Sequence, residues 1–204
     1  MSYFNLSLIW RLVLATVSGL AAVPATRLAH VLAKYLPLPG QPTCSWEPPT
    51  SSLYWEYVLI GSIFGALVMV PFITTAQGRL YKAAGLIISS ILIYAFAVEL
   101  AWKQYSPFYR EGLLVEFAVS GTLGALLVTL AIVVIAPIRA SRLLWFYAAV
   151  AGLIGGLAFF GSFALFGALQ AEASWELSLF LGYLSWQLLV FGALYVGSKA
   201  RNDI

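Results

Sequence analysis

Arg27 and Glu99 carry charge inside two long apolar stretches, and their types allow either a buried ion pair or a polar ligand site. Counted from Leu12 and Ala83, where those stretches begin, they lie almost equally far along the chain. At helical rise the distance is about 22 to 24 Å, so they are expected at matching depth. An unpaired charge there costs at least a few kcal/mol, and an Arg27–Glu99 pair pinning two helices is the simplest expectation. A site for a polar substrate or ion is the competing one. His30 and Lys34 extend the pattern, because positions 27, 30 and 34 share one face of a helix. A basic face of this kind, near Glu56, Glu99, Glu116 and Glu172 and with Trp102 as a further candidate ligand contact, suits an anionic headgroup or a carboxylate ligand. It equally suits a solvated turn balanced by those acids. Glu116, Glu99 and His30 together also contain the groups needed for acid–base chemistry on a lipid. Against an enzyme, the sequence has no Gly-x-Ser-x-Gly elbow, His-Glu-x-x-His site, Walker loop or Cys-x-x-Cys pair.

The elements that must position these residues are marked by a charge register. Glu56, Glu116 and Glu176 recur at one fixed interval, Arg79, Arg139 and Lys199 recur at the same interval, and each carboxylate precedes its base by an equal length of chain. The segment from acid to base, if helical, reaches about 34 Å, just beyond the roughly 30 Å hydrocarbon layer of a bilayer. Six apolar stretches result, at about 12–32, 57–74, 83–102, 114–136, 143–169 and 177–196. The expected fold is all-α, a single domain of six transmembrane helices with short loops.

Lysine and arginine collect in alternate connections: Arg79 and Lys82, Arg139 and Arg142, and Lys199 and Arg201. By the positive-inside rule these face the cytoplasm, which places both termini there in a membrane of bacterial inner-membrane type. The opposite face is acidic and aromatic, with Trp55, Trp102, Tyr105, Tyr109, Glu111, Glu172 and Trp175. Its one sizeable loop, 37–52, holds five prolines, which oppose regular helix. The first span resembles a signal peptide around Ala22-Val23-Pro24-Ala25 but is expected to be retained, since no large soluble region follows it.

Composition agrees with a membrane protein. Apolar residues are 62% of the chain and charged ones 9%, proportions that would not keep a domain of this size soluble. The net charge of +3 sits in topology-setting loops, so no nucleic-acid partner is inferred. One cysteine, Cys44, excludes an internal disulfide and one histidine excludes bis-histidine haem ligation. No cofactor or metal is expected.

Small residues recur at four-residue spacing: Gly61 with Gly65, Gly121 with Ala125, and Ala148, Gly152, Gly156 on the fifth span. They mark helix faces able to pack closely, within the bundle, against a second copy or against another membrane protein. Pro24 and Pro71 are expected to kink their helices, and Pro137 to mark the end of the fourth. The charge register is compatible with a triplicated hairpin, but helix dipoles and loop charges also account for it.

The favoured function is a transport-related or membrane-complex subunit binding a small or amphipathic ligand near the outer helix ends. Its alternatives are a membrane-embedded enzyme acting on a lipid-linked substrate and a structural, assembly or immunity protein. Transport predicts a polar cavity reaching mid-membrane. An enzyme predicts Arg27, His30, Glu99 and Glu116 converging on a pocket, and a scaffold predicts satisfied charges with the small-residue faces turned outward. Membrane lipids are expected partners in every case.

Overall fold

In the structure, a computed structural model, residues 8–36, 50–73, 77–102, 113–136, 138, 140–169 and 174–199 are described. They form α1 (Leu8–Tyr35), α2 (Thr50–Phe64), α3 (Arg79–Trp102), α4 (Leu113–Ile135), α5 (Arg142–Leu169) and α6 (Ser174–Lys199). Six spans among them are long and apolar enough to cross a membrane. The helices exceed the apolar stretches by a turn or less at most ends, because helix continues into the polar flanks. One boundary is corrected: α2 begins at Thr50, inside the stretch read as a 37–52 loop. The rest of that loop, with Cys44, and Tyr105, Tyr109, Glu111, Pro137, Arg139, Glu172 and Arg201 lie outside the described residues.

Local chemistry accounts for several of these ends. Ser141 caps α5 by accepting the Leu144 N–H on its Oγ at 3.0 Å, satisfying a donor that the helix itself cannot. Gly78 turns the chain into α3 at φ +66°, a conformation costly for a residue with a Cβ. α1 runs through Pro24 as one helix. At Pro71 the outcome differs: α2 passes into a π turn at Gly65–Met69, then a 3-10 turn at Val70–Phe72. Proline has no N–H for the carbonyl one turn back, and here the Val70 N–H reaches past the usual acceptor to Gly65 O.

Each helix packs against its neighbours in the chain, and α6 also packs against α1, so the bundle closes into a ring. Neighbours run antiparallel. On α5 and α6, Leu144 meets Gly197, Gly155 meets Trp186 and Phe159 meets Gly182, so numbers rise on one helix as they fall on the other. Ser162 and Ser178 tie the same pair by exchanging hydroxyl-to-carbonyl hydrogen bonds of 2.9 and 3.2 Å. One apolar cluster joins Ala15, Phe72, Leu86, Ile132, Leu144 and Leu194 towards the Arg142 end. Another joins Ala22, Ala25, Ile60, Leu179 and Tyr183 towards the Glu56 end.

The closest approaches use glycine. A Cβ on Gly61 would lie 2.6 Å from the Ile91 Cα, and one on Gly65 would lie 2.8 Å from the Ile87 Cα, so these two face α3. Gly121 lies against Gly152 and Gly156, which brings the backbones of α4 and α5 together. Outside the ring the surface is apolar: Leu92 is 65% exposed and Val134 69%. Mid-helix side chains of this kind are compatible with hydrocarbon rather than water as the surrounding solvent.

Candidate functional site

Three helices are joined at the Glu56 end by polar contacts. The buried Tyr57 of α2 donates its hydroxyl to Glu99 Oε1 of α3 at 2.8 Å. His30 of α1 donates through Nδ1 to the Thr26 carbonyl at 2.9 Å, with Glu56 Oε1 of α2 at 3.9 Å. Trp55 donates its indole N–H to the Leu36 carbonyl at 3.2 Å, closing α2 onto the end of α1. Sequence matched Glu99 to Arg27 by depth, and Tyr57 is a hydrogen-bond donor to Glu99 that this reading had not assigned. It is brought there by the packing of α2 against α3.

The remaining sequence candidates distribute around this end. Arg27 and Lys34 are exposed on α1, the latter with its ammonium 5.7 Å from the centre of the Tyr35 ring. Trp102 ends α3, and its side chain lies outside the described set. Glu116, in the first turn of α4, is 6% exposed, and neither carboxylate oxygen has a hydrogen-bond partner among the described residues. Among those residues no group of three His, Cys, Asp or Glu side chains gathers as a metal site would require.

A cavity of about 80 Å³ opens inside the ring, where a single water needs roughly 10–15 Å³ on the same measure. Helices α2 to α6 all contribute walls, and Arg27, His30, Lys34, Glu99 and Glu116 do not. Aromatic rings dominate: Phe117 and Phe159 stack at 5.6 Å, Phe159 meets Tyr183 edge-on at 5.0 Å, and Phe64 lies 5.5 Å from Trp186. The walls follow α3 from Ser90 to Ala101 and α4 from Phe117 to Val128, stretches of equal length. At helical rise this gives a slot about 16 Å long, parallel to the helices.

Most polar groups on the walls are already engaged. The Tyr94 and Tyr183 hydroxyls bond each other, the Ser120 hydroxyl donates to the Ala97 carbonyl, and the Trp186 N–H donates to the Gly121 carbonyl. Two are not: Ser90 Oγ and Gln187 Oε1 have no partner among the described residues, although their side chains belong to residues only 1% and 2% exposed. Leaving a buried polar atom unpaired costs about 1–3 kcal/mol, and in a membrane the lipid offers no substitute. The sequence reading overlooked both. The available signal was a lone amide, Gln187, at the centre of an apolar span, together with the Ser89-Ser90 pair at the same depth.

The six apolar spans and the lipid-compatible exterior define an integral membrane protein of the multi-pass, all-helical class. Compared with protein-family models, curated proteins and solved structures, the chain matches none.

Proposed function

We propose that the protein binds a small or amphipathic ligand inside its helix ring, as a transport-related or membrane-complex subunit. The observation that carries this reading is the internal slot, walled by five helices and lined by aromatic rings. Ligand sites in helical bundles characteristically lie between helices and combine apolar walls with a few convergent polar groups. The walls are less polar than the sequence led us to expect, which favours an apolar or amphipathic molecule over an ion. One end of the slot, at Ala101 and Phe117, lies within a turn of Glu99 and Glu116. In this reading Arg27, His30, Lys34, Glu99, Glu116 and Trp102 form the rim through which a ligand passes, at the outer face of a bacterial inner membrane. Both termini are then cytoplasmic.

Buried Glu116, with neither oxygen bonded among the described residues, favours a second reading, an enzyme acting on a lipid-linked substrate. The scaffold reading gains nothing from the glycine faces, since Gly61, Gly65, Gly121, Gly152 and Gly156 are all occupied by helices of the same chain.

The test is purification in mild detergent followed by mass spectrometry of the small molecules that remain bound. Ala97→Phe, which projects a ring into the slot, should lose a molecule that the parent retains. Equal small-molecule content in the parent and a folded variant would overturn the reading.

A further inference from the structure

We infer that the slot takes an uncharged molecule whose carbonyl oxygen accepts a hydrogen bond from the Tyr94–Tyr183 phenol pair, an inference that rests on the slot being a ligand site.

The position of the pair comes first. Tyr94 belongs to α3 and Tyr183 to α6, which are not neighbours in the ring but stand across it from each other, so phenols that bond to one another meet in its interior. Both residues line the slot.

A count of hydrogens follows. Each phenol brings one O–H, and each phenol oxygen can also accept. Whichever hydroxyl donates, the bond between them uses one hydrogen, and the other has no acceptor among the described residues. The Ser120 hydroxyl and the Trp186 N–H are already committed to the Ala97 and Gly121 carbonyls. Ser90 Oγ and Gln187 Oε1 have essentially no accessible surface, so neither meets a molecule in the slot. A carbonyl oxygen accepts the spare phenolic hydrogen and brings none of its own, which closes the count.

Charge and shape narrow the class. No Asp, Glu, Lys, Arg or His lines the slot, so a carboxylate would enter the apolar layer and find no counter-charge. Phe159 lies edge-on to Tyr183 and stacks on Phe117, so the body attached to the carbonyl lies along aromatic faces. The ligand class is an aryl ketone or a related uncharged carbonyl compound with a flat, apolar body.

The probes are 2-acetonaphthone, 2-isopropylnaphthalene and 2-naphthoate, measured by equilibrium dialysis against the purified protein, with empty micelles as the blank. The first two are similar in shape, and only the ketone has an oxygen to accept with. The ketone should bind about fivefold more tightly than the hydrocarbon, the worth of one neutral hydrogen bond, and naphthoate should not bind. Either single phenylalanine variant still has one O–H without a protein acceptor, so the discriminating variant is the double one, Tyr94→Phe with Tyr183→Phe. It should bring the ketone to the level of the hydrocarbon without weakening the hydrocarbon. If the double variant does not fold, the C=O stretch of the ketone bound to the parent provides the test, and it should lie at lower wavenumber than in hexane. Equal binding of ketone and hydrocarbon to the parent, a preference that survives in the double variant, an unshifted stretch, or naphthoate binding as well as the ketone would overturn the inference and leave the slot as a ligand site. Failure of all three probes to bind would overturn that reading as well.

Discussion

Tyr57 and Glu99 meet across the α2–α3 contact, the buried phenol donating to a carboxylate that is itself exposed. The arrangement holds the two helices together at one end while Gly61 and Gly65 bring them close further along. Removing the donor in Tyr57→Phe keeps the ring and its edge contact with Tyr94. The expected loss is about 1 kcal/mol, because hydrogen bonds between membrane helices are modest even with a charged acceptor. Glu99→Gln retains an acceptor oxygen and should lose less. Thermal melts in one detergent compare them, and a Glu99→Gln loss exceeding that of Tyr57→Phe would show that the carboxylate has a more important partner.

Two glycines on α5 should respond oppositely to the same change. A methyl on Gly156 would run into the Phe117 carbonyl of α4, a backbone atom unable to step aside, whereas Gly161 has nothing within 4 Å of the added carbon. Gly156→Ala should destabilise by about 1–3 kcal/mol through overpacking. Gly161→Ala should be neutral or stabilise by up to about 1 kcal/mol through helix propensity. Similar melting shifts for the two would mean that the α4–α5 contact is looser than described.

Gln187→Leu should raise the stability of the ligand-free protein. The change removes an acceptor that is buried without a partner and replaces it with a hydrocarbon of similar size, worth about 1–3 kcal/mol. Ser90→Ala should act in the same direction. A lower melting temperature for both would show that these atoms already have partners in the resting protein.

Orientation is open to direct labelling. In a Cys44-free background, cysteines at Gln77 and Asn202 should resist an impermeant thiol reagent in intact cells, and cysteines at Ser51 and Ser106 should react. The reverse pattern would invert the proposed topology.

The spans were legible because bilayer thickness acts directly on sequence: the length of chain between Glu116 and Arg139 matches one crossing and leaves little freedom about where a helix lies. The α2 start was harder to read, since Thr50-Ser51-Ser52 has turn-like composition and nonetheless forms the first turn of a helix. The Tyr57–Glu99 bond was not legible at all. Depth fixes only one coordinate, and the position of α2 beside α3 in the ring is what brings Tyr57 to the carboxylate. The slot escaped for a related reason. Its walls come from five helices, and residues such as Ser90 and Gln187 share no sequence spacing that would announce a common cavity.

The contact between α1 and α6 has a further consequence for chain connectivity. Ala15 near the start of α1 shares a cluster with Leu194 near the end of α6, so the beginning of the first helix and the end of the last emerge side by side. Every helix then has two flanking helices, and the architecture contains no helix that must come first. A circularly permuted chain, with a short linker from Lys199 to Leu8 and new ends opened between α3 and α4, would retain every helix pair except the one released at the opening, which packing alone then holds. Helix order in the gene is in this sense a cut in a closed circle, and its position is constrained by membrane insertion more than by packing.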